Sequence, residues 1–135
     1  MLLQEIHDDI RRRHTFALET TLSGQTYLRL LRQAKRRGYV LKLYYLWLPD
    51  PTVAIARVRE RVRKGGHDVP VSDIRRRFHR SLANLARHYL SLADSWSIFD
   101  NSGTTPRLVA ETYDAKLRVV DTAIFGRIVP DKKIP

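Results

Sequence analysis

The stretch that decides the fold is Tyr39-Val-Leu-Lys-Leu-Tyr-Tyr-Leu-Trp-Leu-Pro-Asp-Pro51. Its first ten residues are aromatic, β-branched or leucine apart from one lysine, which suits a strand. Pro49 breaks that strand. Asp50-Pro51 then starts a helix, with the acid at the N-cap and proline in the first turn. One short segment therefore reads as strand, turn and helix, the first half of a βαβ unit. Upstream, Tyr27, Leu30, Leu31 and Ala34 recur at helical spacing, with Ser23 as N-cap and Gly38 at the C-terminal end. Further back, Thr15–Glu19 reads as a buried strand and Leu2–Arg13 as a helix. Downstream, Ile55, Val58 and Val62 stripe the helix that Gly65-Gly66 ends. Pro70 to Ser72 opens another helix, with Ile74, Phe78, Leu82, Leu85 and Tyr89 on one face and Arg76, Arg80 and Arg87 on another. Ser95–Asp100 reads as a third strand, Asn101–Pro106 as a loop, Arg107–Thr112 as a short strand and Asp114–Ile128 as a final helix. This alternation predicts an α/β fold with a parallel sheet flanked by helices, in one domain over residues 1–135. Ligands of such sheets bind beyond the carboxyl ends of the strands. Glu19-Thr20-Thr21 and Asp100-Asn101-Ser102 fall there.

Composition narrows the function classes. A chain of 135 residues with 43% hydrophobic content can bury a core. It has no cysteine, so disulfides and thiolate metal sites are excluded. The longest apolar run, Leu43–Leu48, is far short of the roughly 20 residues of a membrane span. Met1-Leu-Leu is followed at once by polar residues, which is not a secretory leader. A cytoplasmic location without a membrane partner is the expectation. The net charge is +11. Eight arginines and Lys64 lie between Arg57 and Arg80, against Glu60, Asp68 and Asp73. Such an array is either a solvated helix face or a polyanion-facing surface. Guanidinium forks fit phosphate oxygens in pairs, but charge alone does not separate nucleotide from nucleic-acid phosphate.

Arg63-Lys-Gly-Gly-His-Asp-Val-Pro70 with Ile74-Arg-Arg-Arg-Phe78 is the most specific motif. It joins two arginine-bearing helices through a diglycine corner, the build of a lid over residues 57–80 that could close on transferring phosphates. Phe16-Ala-Leu-Glu-Thr-Thr-Leu-Ser-Gly24 is a strand end followed by a helix start, whose free N–H groups could hold an anion or a sugar hydroxyl; Thr21 and Ser23 could equally serve as helix caps. His7, His14, His67, His79 and His88 show no metal-ligand spacing, so no metal site is predicted. Tyr44, Tyr45 and Trp47 read as core residues. No glycine opens a G-x-x-x-x-G-K-[ST] phosphate loop.

In this order and spacing, these fragments with Tyr44-Tyr-Leu-Trp-Leu48 and Asp100-Asn-Ser102 resemble the zeta-toxin-like family of P-loop kinases, from about Leu2 to Val129. The resemblance implies a toxin–antitoxin setting and transfer of the ATP γ-phosphate, with Mg2+, to a hydroxyl acceptor such as a UDP-activated amino sugar. It implies Arg63 and Arg76 as the charge-stabilising lid arginines, with Arg77 as alternate. Glu19, Thr20 and Thr21 would line the acceptor pocket, and Arg77 and Asn101 would contact the nucleotide, Asn101 as part of a candidate base-contact segment, Asn101–Arg107. The family's Walker segment, with its lysine, magnesium-binding hydroxyl and catalytic aspartate, has no counterpart in the sequence. The resemblance therefore implies an incomplete sheet lacking the Walker strand, and a chain inactive by itself. Partners implied are a nucleotide, a small-molecule acceptor, and an antitoxin-like protein or a second copy at an open sheet edge. A basic module that binds nucleic acid or a partner protein is the alternative, although no known nucleic-acid-binding motif is legible.

Overall fold

The computed structural model describes Leu22 and residues 25–130. The strand expected over 15–19, the helix over 2–13 and the Ser23 cap lie outside these residues. In chain order the elements are α1 (Thr26–Arg36), β1 (Lys42–Trp47), α2 (Pro51–Arg63), α3 (Val71–Asn84), α4 (Leu90–Leu92), β2 (Ser95–Asp100), β3 (Arg107–Tyr113), β4 (Lys116–Val119) and α5 (Thr122–Ile128). A π-helical turn, Leu85–Tyr89, joins α3 to α4.

The strands form one four-stranded sheet in the order β1-β2-β3-β4. β1 and β2 are parallel, from Lys42 opposite Ser95 to Trp47 opposite Asp100. β2 with β3 and β3 with β4 are antiparallel. The fold is thus α/β with a mixed sheet, which corrects the expectation of a purely parallel one. The reason is connector length. The 48–94 crossover carries α2, α3 and α4 and returns β2 parallel to β1, whereas the loop 101–106 is too short for a crossover, which takes a dozen or more residues.

The final helix also needs correction. Asp114 and Ala115 adopt left-handed backbone, with φ of 50° and 61°, and turn the chain into β4. The helix expected from 114 begins only at Thr122, where the Asp121 carboxylate accepts from the Ile124 N–H at 2.9 Å.

Local chemistry explains the elements that the sequence did predict. Asp50 Oδ1 accepts from the Thr52 N–H at 2.7 Å, with Pro51 at the first helical position. Those hydrogen bonds from Thr52 hold the Asp50 carboxyl below its ordinary value. α1 ends as Gly38 takes φ +92°, and the Tyr39 N–H reaches back to the Ala34 carbonyl at 3.1 Å. At the diglycine corner Gly65 has φ +96°, while a Cβ on Gly66 would stand 2.9 Å from the Arg61 carbonyl oxygen. Gly66→Ala must therefore displace the end of α2. It should lower stability by about 1 kcal/mol or more, measured by chemical denaturation.

One face of the sheet carries the core. Trp47, Trp96, Ile98 and Ala110 pack with Leu85, Tyr89 and Leu90 from the α3–α4 segment and with Phe125 and Ile128 of α5. The π turn brings Leu85, Tyr89 and Leu90 together into this layer. Trp96 stacks on Phe125 with ring centroids 6.2 Å apart. Val109 sits at a bulge opposite the Ile98/Phe99 step, and its carbonyl accepts from the Val120 and Asp121 N–H groups. The Tyr89 hydroxyl is buried and finds no partner among the described residues. Burial pushes its pKa up, with Arg32 opposing. Tyr89→Phe removes an unsatisfied polar atom, so it should be neutral or stabilising by up to about 1 kcal/mol, read as an unchanged or raised Tm.

Candidate functional site

The parallel pair β1–β2 sets a carboxyl-terminal edge where three other elements converge. The Asn101 N–H donates to the Trp47 carbonyl at 2.8 Å, tying the two strand ends together. Arg57, one turn inside α2, donates to the Asn101 carbonyl. Arg127 from α5 donates to the Pro49 carbonyl at 2.6 Å and lies over the Trp47 ring, 5.0 Å from its centroid. Arg107, the first residue of β3, donates to Asp100 Oδ2 at 3.0 Å. Three guanidiniums from α2, β3 and α5 therefore surround the ends of two parallel strands. Each retains further N–H donors beyond the bond described.

Asp100 is the buried acid of this edge, 5% exposed. It also accepts from the Ser102 N–H at 3.0 Å. Burial pushes its carboxyl up, but the Ser102 hydrogen bonds and the Arg107 guanidinium outweigh that and hold it below the ordinary 3.8. A carboxyl with a folded-state pKa below its unfolded one adds stability above the unfolded value. That stability is lost as pH falls through the folded value. Asp100→Asn should therefore flatten the acid limb of a stability-versus-pH curve below about pH 4, and an unchanged limb would show that Asp100 is not its source.

The lid candidates sit on a helix hairpin. Arg63 closes α2 and pairs with Glu60 at 3.4 Å, and Arg76, in the second turn of α3, pairs with Asp73 at 2.6 Å. Both pairs are local to one helix, so neither ties the hairpin to the sheet. Arg77 is exposed and makes no ion pair or hydrogen bond among the described residues. The hairpin is joined to β1 through Tyr45, whose hydroxyl lies 3.1 Å from that of Ser81. Burial raises the Tyr45 pKa, with the Ser81 bond opposing.

Of the residues singled out from sequence, the structure places Asn101 at the carboxyl edge and Arg63, Arg76 and Arg77 on the hairpin. Glu19, Thr20 and Thr21 lie outside the described residues. Tyr45 and Trp47 point to the core side as expected, whereas Tyr44 is 69% exposed. Arg107 falls within the candidate base-contact segment Asn101–Arg107 and meets Asp100 seven positions away, whereas Arg127 carries no local signal because the Pro49 carbonyl it reaches lies 78 positions away in the chain. Only the acid at the end of β2 hinted that a cation would be needed there. Among the described residues no His, Asp or Glu cluster could hold a metal ion, and no helix is long and apolar enough to cross a membrane.

No family model matches the sequence, and no solved structure matches it. The chain is similar to a Haemophilus influenzae protein described as "Uncharacterized protein", with 29% identity over 72 residues. That match takes in 53% of this chain and 51% of the relative. The chain thus spans about half the length of the curated relative it matches.

Proposed function

We propose that the chain supplies the lid and base-contact parts of a zeta-toxin-like ATP-dependent kinase. The observation that carries this reading is the arginine-bearing hairpin α2–α3, set between two parallel strands and bent at a diglycine corner. Arg63 and Arg76 would stabilise charge on the phosphoryl group in transfer. Arg77 and the Asn101 segment would contact the nucleotide, and Glu19, Thr20 and Thr21 the hydroxyl acceptor, a UDP-amino sugar being one candidate. ATP and Mg2+ are the cofactors of this reading. The phosphate loop that holds them must come from outside this sequence, so the isolated chain should bind nucleotide weakly and transfer no phosphate.

Calorimetric titration with ATP and with AMP tests the reading. Phosphate-directed arginines should bind ATP at least tenfold more tightly than AMP. Equal affinity, or no binding of either at low salt, overturns it.

A second reading rests on Arg59, Arg61, Arg75 and Arg77, which are exposed and unpaired among the described residues. These could bind nucleic acid. The affinity should then fall with about one power of salt concentration per phosphate neutralised, and salt-independent binding would exclude it.

A further inference from the structure

β1 is an outer strand of the sheet among the described residues. Its odd-numbered neighbours serve β2: the Leu41 carbonyl accepts from the Asp94 and Ser95 N–H groups, and the Trp47 carbonyl from the Asn101 N–H. In a parallel strand alternate residues face opposite sides. The N–H and C=O groups of Lys42, Tyr44 and Leu46 therefore point outward. Edge strands are commonly blunted by proline, bulges or several charges. Here Lys42 is the strand's one charge, there is no proline, and the register with β2 runs without a break. The exposed sheet face beside this edge sets two large apolar side chains, Tyr44 and Leu46, 69% and 55% exposed, among Lys42 and the serines of β2.

The ends of the edge are basic. Arg36, Arg37 and Lys42 are exposed at its amino end, and Arg127 lies at its carboxyl end beside Pro49. Three of the nearby acids are engaged, Asp94 with Lys35 at 3.5 Å, Glu111 with Arg118 at 3.6 Å and Asp50 with the start of α2; Asp114, in the β3–β4 turn beside Lys42, is exposed and offsets one of the amino-end cations. An edge that offers hydrogen bonds and two large apolar side chains between cationic ends fits an extended segment with alternating apolar residues and acidic ends. A second copy, carrying the same +11, would bring like charges together.

We propose that the outer edge of β1 docks an acidic partner polypeptide, which adds a strand along Lys42, Tyr44 and Leu46 and sets its carboxylates against the basic ends. The strand's backbone groups supply affinity, and the cationic ends choose the partner.

The test uses a synthetic peptide of alternating valine and threonine flanked by glutamates, and its counterpart flanked by lysines. The acidic peptide should bind more weakly as salt rises, and should slow hydrogen exchange at the amides of Lys42, Tyr44 and Leu46. The lysine peptide should bind at least tenfold more weakly. Tyr44→Pro removes an outward N–H without touching the β1–β2 ladder and should weaken binding tenfold or more. Lys42→Pro, at the strand's first residue, gives the same readout if Tyr44→Pro fails to fold. Equal binding of both peptides, protection elsewhere, or full binding by the proline variant overturns the proposal. So does self-association of the wild-type chain that Tyr44→Pro abolishes, since the edge then belongs to a second copy.

Discussion

Trp96→Ala should cost about 3–5 kcal/mol of unfolding free energy, the largest stability loss expected from a single substitution in this chain. Trp96 is 3% exposed, stacks on Phe125 and sits in β2, where it pairs with both β1 and β3. Its removal empties a site bounded by two strands and α5, and a rigid sheet cannot collapse into the space. Domains of this size hold roughly 5–15 kcal/mol in total, so the variant should be partly unfolded near physiological temperature. Chemical denaturation gives the loss directly, and a Trp96→Phe variant should recover part of it. A loss below about 1 kcal/mol would mean that the Trp96–Phe125 layer is not the centre of the core.

The double variant Arg63→Ala with Arg76→Ala should lower ATP affinity by about tenfold to a hundredfold while leaving Tm unchanged. The two halves of this expectation have separate causes. Both side chains are exposed, by 78% and 50%, and each pairs only with an acid three positions away on its own helix. Such pairs contribute at most about 0.5 kcal/mol, so folding should not register their loss. A guanidinium closing on phosphate makes a charge-assisted bond of about 1.5–3 kcal/mol, and about 1.4 kcal/mol is a factor of ten. Arg59→Ala with Arg75→Ala is the matched control, because it removes the same charge from the same two helices. An equal loss in the control would point to diffuse attraction and remove the role proposed for Arg63 and Arg76.

The fold was legible wherever a residue's role was decided by its near neighbours. Asp50-Pro51, Gly38 and the strand Ser95–Asp100 stand where their local chemistry puts them. The hairpin β3–β4 was not legible, because Asp114 and Ala115 take left-handed backbone without the Asn-Gly or Gly that usually marks such a turn. Lys116-Leu-Arg-Val119 then blended into the helical spacing of Ile124, Phe125 and Ile128. The site divides in the same way. The arginine-rich hairpin is a local motif and could be read directly. At the β1–β2 ends Arg107 meets Asp100 across a short loop, but Arg57 and Arg127 reach carbonyls 44 and 78 positions away, and no local spacing encodes those contacts.

The sheet joins two kinds of pairing, and that has a consequence for how the chain reaches its native state. β2, β3 and β4 form a meander whose turns are short, so its loops close quickly and at small entropic cost. β1 joins only after the long crossover is folded back, and Leu41 and Asp94, which meet at the start of the pair, are 53 positions apart. The meander should therefore be the early structure and β1 the late arrival. In the native protein the order reverses: β1 is the strand whose amides should exchange first, by an opening that leaves the other three strands in place.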